Sequence, residues 1–288
     1  MTTSIDRIKE LFALRRYPEV IEHCEQFLVN ECESIEVIQN LVRSLIASNR
    51  LEEVPKYINK ALLIEPSNHE FLKEYGNYYQ LSGDINQAKV YYQKAIDVNP
   101  SYAPALTNLG GIELKYGNKK DALLLLIQAT EADPTLLPGW VNLANGYFDL
   151  REYEKAKDAY QQVIKLHPNF FKAHYQLGCI YQEQKKFEEA ENPFRRSIEL
   201  KPDFVEAHLN LGIILKEQGK LEEAEAPIFE AIKLKPQLCN IHFLLGSIYI
   251  EQKKFEEAEK PLRRSIELKP DFVEAHLNLG IVLKEQGK

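Results

Sequence analysis

Residues 205–238 read VEAHLNLGIILKEQGKLEEAEAPIFEAIKLKPQL. Pro236, near the end of this stretch, belongs to a series of prolines in which each lies 34 residues from the next. The series comprises Pro66, Pro100, Pro134, Pro168, Pro202, Pro236 and Pro270. A fixed period of this size is typical of supersecondary units that stack and bury their apolar faces against one another. The period therefore predicts a repeat array, and it disfavours a packed enzyme, whose catalytic pocket needs residues that occur once.

The composition narrows the class of partner. The chain has 288 residues, a formal net charge of −7 and 44% hydrophobic residues, with charges of both signs interspersed. A nucleic-acid binder would show a basic stripe or patch, and none is present in the sequence. The N-terminus lacks a continuous apolar signal segment, and the longest aliphatic run, 123–127, is too short to span a bilayer. We therefore expect a cytoplasmic protein with no nucleic-acid or membrane partner.

The residues between the prolines follow the same period. If each proline is slot 32 of a 34-residue unit, the units begin at residues 1, 35, 69, 103, 137, 171, 205, 239 and 273. Apolar slots 4, 7, 8 and 11 then share one face of a first helix, and slots 17, 20, 24 and 27 share one face of a second. Slot 8 is glycine in six units and slot 20 is alanine in six, which predicts close approach of the two helices.

The ends of the helices are also predicted. Glycine near slot 15 (Gly83, Gly117, Gly219 and Gly287) ends the first helix, and proline at slot 32 ends the second. Pro193, Pro227 and Pro261 lie at slot 23, inside predicted second helices, where proline removes a backbone hydrogen bond. We expect these three helices to bend there, with slot 23 facing outward. Residues 186–220 and 254–288 are copies that differ at only three of 35 positions.

This pattern resembles the tetratricopeptide repeat over essentially the whole chain, and most specifically over residues 69–288. The resemblance implies an all-α, right-handed superhelical solenoid of 34-residue helix-turn-helix repeats. Residues 1–68 are expected to form two degenerate N-terminal repeats that act as a cap. Six regular repeats then follow over residues 69–272, and residues 273–288 form the first helix of a further, incomplete repeat.

The last helix has no second helix after it. Its apolar residues Ala275, Leu279, Ile281 and Leu283 are therefore expected to lack cover. Either the natural chain continues, or another molecule covers this end, and contact between copies of the chain would do so.

In the tetratricopeptide family the concave face is lined by first-helix slots 2, 5, 6, 9, 12 and 13. Slot 6 is repeatedly asparagine, whose amide can pair with the backbone of an extended peptide. This ladder resembles that of the repeat arrays of O-linked N-acetylglucosamine transferase-type proteins, although Glu74, Gln176 and Leu244 interrupt it. Alternatively, the asparagines bond to their own scaffold. The later first helices add apolar residues. The predicted groove residues are Asn108, Asn142, Asn145, Phe148, Tyr175, Leu209, Asn210, Ile213, Phe243 and Asn278.

The same face carries part of a second kind of site. Lys73, Asn77 and Asn108 match part of the carboxylate clamp of chaperone-binding family members. The remaining clamp positions fall at Pro138 and Asn142, and neither is basic. Only a partial clamp with one cation is therefore expected.

Metal and catalytic sites are not predicted. His174, His208, His242 and His276 recur at slot 4, which Trp140 occupies in its own repeat, and this placement indicates packing. The cysteines Cys24, Cys32, Cys179 and Cys239 lack zinc-site spacing. Each Glu-Glu pair, such as Glu222 and Glu223, recurs early in a second helix, where negative charge favours the helix N-terminus.

The sequence thus predicts no cofactor, no metal and no catalysis. It favours a protein-interaction scaffold that binds a peptide or protein segment in the groove. Two alternatives stay open: a substrate-recruiting arm of a longer glycosyltransferase- or sulfotransferase-like enzyme, or a self-assembling scaffold.

Overall fold

The computed structural model describes residues 4–30 and 34–288, and helical hairpins follow one another throughout them. The predicted all-α fold is confirmed, because these residues form 17 α-helices, one short 3₁₀ turn (Leu51–Glu53) and no strand. The helices are α1 (Ser4–Ala13), α2 (Tyr17–Asn30), α3 (Ile35–Ala47), α4 (Val54–Ile64), α5 (His69–Leu81), α6 (Ile85–Val98), α7 (Ala103–Tyr116), α8 (Lys119–Ala132), α9 (Leu137–Asp149), α10 (Tyr153–Leu166), α11 (Phe171–Glu183), α12 (Phe187–Leu200), α13 (Val205–Glu217), α14 (Leu221–Leu234), α15 (Cys239–Glu251), α16 (Phe255–Leu268) and α17 (Val273–Glu285). Odd-numbered helices are the first helices of the repeats, and even-numbered helices are the second. Cys32 lies outside the described residues.

The chain divides into two compact units, an N-terminal unit of residues 1–146 and a C-terminal unit of residues 147–288. In the N-terminal unit, Ile8 and Val42 at slot 8 and Val20 and Val54 at slot 20 are fully buried. The first two repeats therefore bury the same slots as the later repeats, with larger residues. The division into a cap, six regular repeats and a final helix stays a prediction. No helix within the described ranges is long and apolar enough to cross a membrane.

The slot-8 glycines make room for one particular side chain. A Cβ atom added to Gly178 would lie 2.6 Å from the ring of Phe194, and one added to Gly212 would lie 2.3 Å from Ile228 Cδ1. Phe194 and Ile228 each occupy slot 24 of the repeat that contains the glycine they contact. The same relation joins the pairs Gly76 and Tyr92, Gly110 and Leu126, and Gly246 and Leu262. Glycine at slot 8 thus lets the bulky slot-24 residue of the second helix reach the backbone of the first.

Most first helices end in a left-handed residue at slot 15. Gly83, Gly219 and Gly287 have φ angles of 87°, 75° and 72°. Non-glycine residues take the same conformation in other repeats, with φ between 56° and 60°, at Arg15, Asn49, Arg151, Lys185 and Lys253. Gly117 departs from the expectation, because its φ is −130° and α7 runs one residue further than α5 or α9.

The slot-4 residues connect each repeat to the proline that precedes it. Trp140 Nε1 donates a hydrogen bond to the carbonyl oxygen of Pro134 at 2.9 Å. The Nε2 atoms of the four slot-4 histidines lie 2.8–2.9 Å from the carbonyls of Pro168, Pro202, Pro236 and Pro270. Because a carbonyl oxygen only accepts, each histidine carries its hydrogen on Nε2. The histidines therefore fasten the turn between repeats, as the structural interpretation of slot 4 predicts.

The expectation that slot 23 faces outward is wrong. Pro193 and Pro227 are half-buried and Pro261 is buried, while α12, α14 and α16 run unbroken through them. Slot 23 follows the slot-20 alanine by three residues, which places it beside the buried stripe of the second helix. A bend at the prolines stays a prediction.

The surface of α17 also differs from the expectation. Ala275 is fully buried, and Leu279, which is 9% exposed, and the half-buried Leu283 pack with Ala258 and Leu262 of the preceding repeat. Ile281 is exposed as expected, at 48%, and the other exposed apolar residues are Val273 and Leu277, at 62% and 63%. A Cβ atom at Gly280 would meet nothing within 4 Å, unlike its counterpart at Gly212. The exposed stripe of α17, Val273, Leu277 and Ile281, therefore shares only Ile281 with the set that the sequence suggested.

Candidate functional site

A charged network occupies the first-helix face of the N-terminal unit, by which we mean the surface of slots 2, 5, 6, 9, 12 and 13. Arg43 on α3 contacts Glu70 at 2.9 Å and Glu74 at 3.1 Å, both on α5. Glu74 occupies slot 6, is only 3% exposed, and is also paired with Lys73. Burial alone would raise the pKa of Glu74, but Lys73, Arg43 and Asn77 outweigh it and hold that pKa below its ordinary value of 4.5. The network therefore holds a buried carboxylate in its charged form.

The same network uses the residues of the partial carboxylate clamp. The Lys73 ammonium is paired with Glu74, and Asn77 Nδ2 donates to Glu74 at 2.8 Å. Asn108 Nδ2 in turn donates to Asn77 Oδ1 at 2.8 Å. The structure thus brings the three residues together, but a buried carboxylate already neutralises the cation that a clamp would offer to its ligand.

A polar cavity of 380 Å³ lies further along this face, between α5, α7 and α9. Its polar lining comes from Gln80, Thr107, Asn108, Lys115 and Asn142, and Gly111 forms part of its wall. Gln80, Asn108, Gly111, Lys115 and Asn142 occupy slots 12, 6, 9, 13 and 6, which belong to the face predicted from the sequence. Asn108 and Asn142 are therefore brought to one concavity within the N-terminal unit.

The asparagine ladder is only partly free. Asn210 Nδ2 donates to the Tyr175 hydroxyl at 3.2 Å and lies 3.7 Å from Cys179 Sγ. Asn278 Nδ2 donates to Ser247 Oγ at 3.2 Å, and Asn142 Nδ2 is 3.5 Å from the Thr107 carbonyl. Asn145 is half-buried and already has a partner. The amide nitrogen thus repeatedly bonds to the preceding repeat, which is the scaffold role that the sequence left open. Most of these acceptors are slot-9 residues of the preceding repeat; the sequence placed slot 9 on this face but did not indicate that it pairs with the asparagines.

The C-terminal unit presents apolar residues at the predicted positions. Tyr175, Leu209 and Ile213 are half-buried and pack against the core of this unit. Phe243 is half-buried with its ring centroid 4.9 Å from that of Phe272, and the Phe148 ring meets Tyr153 at 5.8 Å. These side chains form part of the packing and keep only an edge at the surface.

Cys179 and Tyr175 are close enough to interact, but their chemistry is not that of a nucleophile. Burial raises the pKa of Cys179 to about 11 and raises that of Tyr175 above its ordinary value. Both groups stay protonated at neutral pH, so the thiol is not activated for attack. Cys24 is fully buried, and burial raises its pKa to about 12.

Two clefts on the second-helix side of the C-terminal unit were not predicted. One has a volume of 340 Å³, with Ile198, His208 and Pro227 in its wall, and the other has 520 Å³, with Phe229, His242 and Pro261. Each lies between the second helices of adjacent repeats. One feature of the sequence could have indicated these clefts. Slot 23 is proline in these repeats, and its short ring fills less space than Tyr91 and Leu125, which occupy the same slot in other repeats. Phe229, which is 46% exposed, marks the larger cleft.

Comparison with known proteins places this arrangement in a family. A family model described as the cilia and flagella-associated protein 70 C-terminal domain, of tetratricopeptide type, matches residues 67–278. Comparison with curated protein sequences gives no match. Among solved structures, the chain is similar to YrrB, described as a tetratricopeptide protein with an unusual peptide-binding site, at 22% identity and a TM-score of 0.59. That match covers 65% of this chain and 96% of YrrB.

Two further structures are similar. PilF of Pseudomonas aeruginosa matches at 19% identity and a TM-score of 0.62, over 73% of this chain and 95% of PilF. A chain of the Cut9–Hcn1 hetero-tetramer of the APC/C matches at 18% identity and a TM-score of 0.61, over 97% of this chain and 55% of that one. These likenesses show the fold. Because the family model covers well over half of the chain, the chain belongs to the tetratricopeptide-repeat family of the cilia and flagella-associated protein 70 C-terminal domain.

Proposed function

We propose that this chain is a protein-interaction scaffold that binds a protein segment on the first-helix face of its C-terminal unit. Tetratricopeptide arrays are in general interaction scaffolds whose repeats build extended binding surfaces, and a role without catalysis is our prediction for this one. The observation that carries the proposal is the row of half-buried apolar residues, Tyr175, Leu209, Ile213 and Phe243, on three successive first helices. Such residues supply contact area and are already held in place by packing.

The asparagines of this face contribute acceptors more than donors. The nitrogen of the Asn210 side chain is bonded within the scaffold, which leaves its Oδ1 atom for a backbone N–H of the bound segment. The slot-6 residues Asn210 and Asn278 would therefore hold an extended segment by accepting hydrogen bonds. Phe148 would extend the apolar surface at one end. These hydrogen bonds would recognise the backbone of the bound segment, and the apolar contacts would select its side chains.

The alternatives differ in their support. No residue-level observation favours a recruiting arm of a longer glycosyltransferase- or sulfotransferase-like enzyme. The exposed stripe of α17 favours self-association. A cytoplasmic location also stays a prediction.

The proposal is tested with a partner captured from cell extract by the purified chain and then identified, expressed and purified. Its dissociation constant is measured by calorimetry. Tyr175→Ala combined with Phe243→Ala should weaken binding by about 2 kcal/mol or more, because aromatic anchors dominate interface energies. Asn210→Ala should cost only about 0.5–1.5 kcal/mol, the value of one neutral hydrogen bond.

Two controls accompany these variants. Circular dichroism must show unchanged helicity, and Tyr175→Phe, which keeps the ring in place, should bind almost as well as the parent. Phe229→Ser changes an exposed residue of the second-helix side and should leave the affinity unaltered. The proposal fails if Phe229→Ser abolishes binding while the first-helix variants bind normally.

A further inference from the structure

The larger of the two clefts on the second-helix side lies between α14 and α16 and is lined mainly by apolar and aromatic side chains. Its volume of 520 Å³ lies within the range of about 300–1,000 Å³ that ligand pockets have. The apolar and ring-bearing residues of its wall are Phe229, Ile232, His242, Leu245, Tyr249 and Pro261. The cleft is therefore a recess that a large apolar side chain can occupy.

Phe229 makes this cleft different from the smaller one between α12 and α14. It occupies slot 25 of α14, is 46% exposed, and contacts no other aromatic ring in the described part of the chain. In the smaller cleft slot 25 is Arg195, which is paired with Glu191 at 2.8 Å. The Tyr249 ring already has the Lys254 ammonium 5.7 Å from its centroid. Phe229 is therefore the ring that this cleft offers to a ligand.

Charges of both signs at the rim of the cleft have no ion-pair partner in residues 4–30 or 34–288. Lys260 is exposed, and its ammonium lies over no aromatic ring. Glu256, one helical turn earlier on α16, and the adjacent Glu257 are also exposed and unpaired. Arg264, by contrast, pairs with Glu267 at 3.0 Å. The rim thus presents one available cation and two available carboxylates.

The duplication within the chain adds an observation on Lys260. Residues 186–220 and 254–288 differ at only three positions, and at two of these both copies have a buried apolar residue. Lys260 is the third position, where the other copy has the exposed Asn192. The one difference on the surface of the two copies therefore places a cation at the rim of this cleft.

We propose that the cleft between α14 and α16 binds the side chain of a tryptophan in a partner protein. The indole ring would pack against Phe229, and its face would attract the Lys260 ammonium, since tryptophan has the strongest cation–π interaction of the aromatic residues. The indole N–H only donates and needs an acceptor, which the carboxylate of Glu256 or Glu257 would provide. A leucine would use the apolar wall alone, and a phenylalanine would leave the carboxylates without a donor.

This inference goes beyond the proposed function, whose partner segment contacts the first-helix face of the same unit. Phe229, Lys260 and Glu256 all belong to second helices. The tryptophan would therefore occupy a separate surface, and the C-terminal unit would have two binding surfaces with different ligand chemistry.

The test uses the full 288-residue chain and a synthetic probe. The probe is a hexapeptide of glycine and serine with one central 5-fluorotryptophan, acetylated and amidated at its ends so that it has no charge. The ¹⁹F line width of the probe is followed as the chain is added, and it yields the dissociation constant. Unlabelled peptides with tryptophan, 1-methyltryptophan or leucine at the same position then compete. We expect tryptophan to displace the probe best, 1-methyltryptophan less well because it lacks the N–H, and leucine least.

Two variants and a matched control locate the contact. Phe229→Ala should weaken probe binding by about tenfold or more, because it removes the ring on which the indole packs. Lys260→Asn, which introduces the residue of the other copy, should weaken it roughly threefold, the contribution of an exposed cation–π interaction. Lys233→Gln removes an exposed lysine of α14 that does not line the cleft, and it should bind like the parent. Circular dichroism must show unchanged helicity in all three.

A further variant tests the role of the carboxylates. In Glu256→Ala combined with Glu257→Ala, the advantage of the tryptophan peptide over the 1-methyltryptophan peptide should disappear, because no carboxylate is left to accept the indole N–H. An advantage that persists in this variant would overturn the assignment of the acceptors.

The outcomes separate this inference from the proposed function. The absence of saturable broadening would overturn the inference, and so would equal displacement by the tryptophan and leucine peptides. Tyr175→Ala combined with Phe243→Ala removes the first-helix contacts and should leave probe binding unchanged, even if the proposed function fails. Probe binding that is lost in this double variant and kept in Phe229→Ala would place the ligand on the first-helix face and overturn the inference.

Discussion

Two glycines in nearly identical helices provide a comparison at the scale of single residues. Helices α13 and α17 differ only at Ile214 and Val282, yet Gly212 is covered by Ile228 and Gly280 is covered by nothing. Gly212→Ala places a methyl group 2.3 Å from Ile228 Cδ1, and overpacking of this kind costs about 1–3 kcal/mol. Gly280→Ala should instead stabilise the chain by about 0.5–1 kcal/mol. Urea unfolding measures both, and equal effects would contradict the assigned role of slot 8.

The slot-15 residues allow a second comparison. Lys185 and Lys253 are exposed and adopt φ angles of 57° and 60°, a conformation that costs a residue with a Cβ atom roughly 1 kcal/mol. Lys253→Gly should therefore raise the free energy of unfolding by up to about 1 kcal/mol, with part of the gain lost to the greater freedom of glycine in the unfolded chain. Gly219→Ala, at a φ of 75°, should lower it. Thermal melts of both variants provide the measurement, and a destabilised Lys253→Gly chain would disprove the assignment of strain.

The sequence could predict only part of this residue-scale picture. Glycine at slot 8 and alanine at slot 20 indicated close helix packing, and that packing is present. The left-handed turn at Arg151 or Lys185 could not be predicted, because those residue types carry no preference for positive φ. The burial of Pro261 was missed for a different reason, since it depends on the second helix of the neighbouring repeat.

At the scale of an element, α5 holds a buried carboxylate whose charge has consequences for stability. The pKa of Glu74 is lower in the folded chain than its ordinary 4.5, so its stabilising contribution is present above that value and is lost as the pH falls through the folded pKa. Glu74→Gln leaves Lys73 and Arg43 without this partner and should destabilise the N-terminal unit by about 3 kcal/mol at pH 7.

The pH dependence distinguishes this charge effect from a packing defect. The difference in unfolding free energy between the parent and Glu74→Gln should shrink as the pH is lowered below 4.5, because the parent then protonates the same carboxylate. Urea unfolding at pH 7, 5 and 3 measures it. Glu70→Gln, which removes a more exposed partner of Arg43, serves as the control and should have a much smaller effect. A difference that is constant from pH 7 to pH 3 would rule the mechanism out.

For the candidate site, too, the sequence could predict one part and not another. The repeat pattern placed Asn108, Asn142 and Asn210 correctly on first helices, because the period fixes the face of each slot. It could not show that their amide nitrogens bond to the preceding repeat, since that depends on which residue fills slot 9 one repeat earlier. The cavity at Gly111 arises from the same dependence, and a single glycine in an otherwise variable slot gives little signal in a sequence.

At the scale of the whole molecule, the exposed stripe of α17 has a self-complementary pattern. In the interior copy of this helix, Glu206 pairs with Lys235 at 3.3 Å and Lys216 pairs with Glu251 at 2.5 Å. The counterparts Glu274 and Lys284 have no ion pair within the described part of the chain. Val205 is 3% exposed, whereas its counterpart Val273 is 62% exposed. The same residue types are thus paired or buried in α13, whereas in α17 they are exposed or have no ion pair among the described residues.

A two-fold axis that crosses α17 level with Leu279, on the exposed side of the helix, would pair this stripe with the same stripe in a second copy of the 288-residue chain. In such an antiparallel pair, Leu277 lies opposite Ile281 and Glu274 lies opposite Lys284, so apolar contacts and opposite charges coincide. We therefore predict a concentration-dependent dimer in sedimentation experiments. Lys284→Glu should shift it to monomer by placing two carboxylates together. The double variant Glu274→Lys with Lys284→Glu should restore the dimer, because the charges are exchanged and remain complementary. If the double variant stays monomeric while its helicity is intact, or if the parent is a monomer at every concentration, α17 does not mediate self-association.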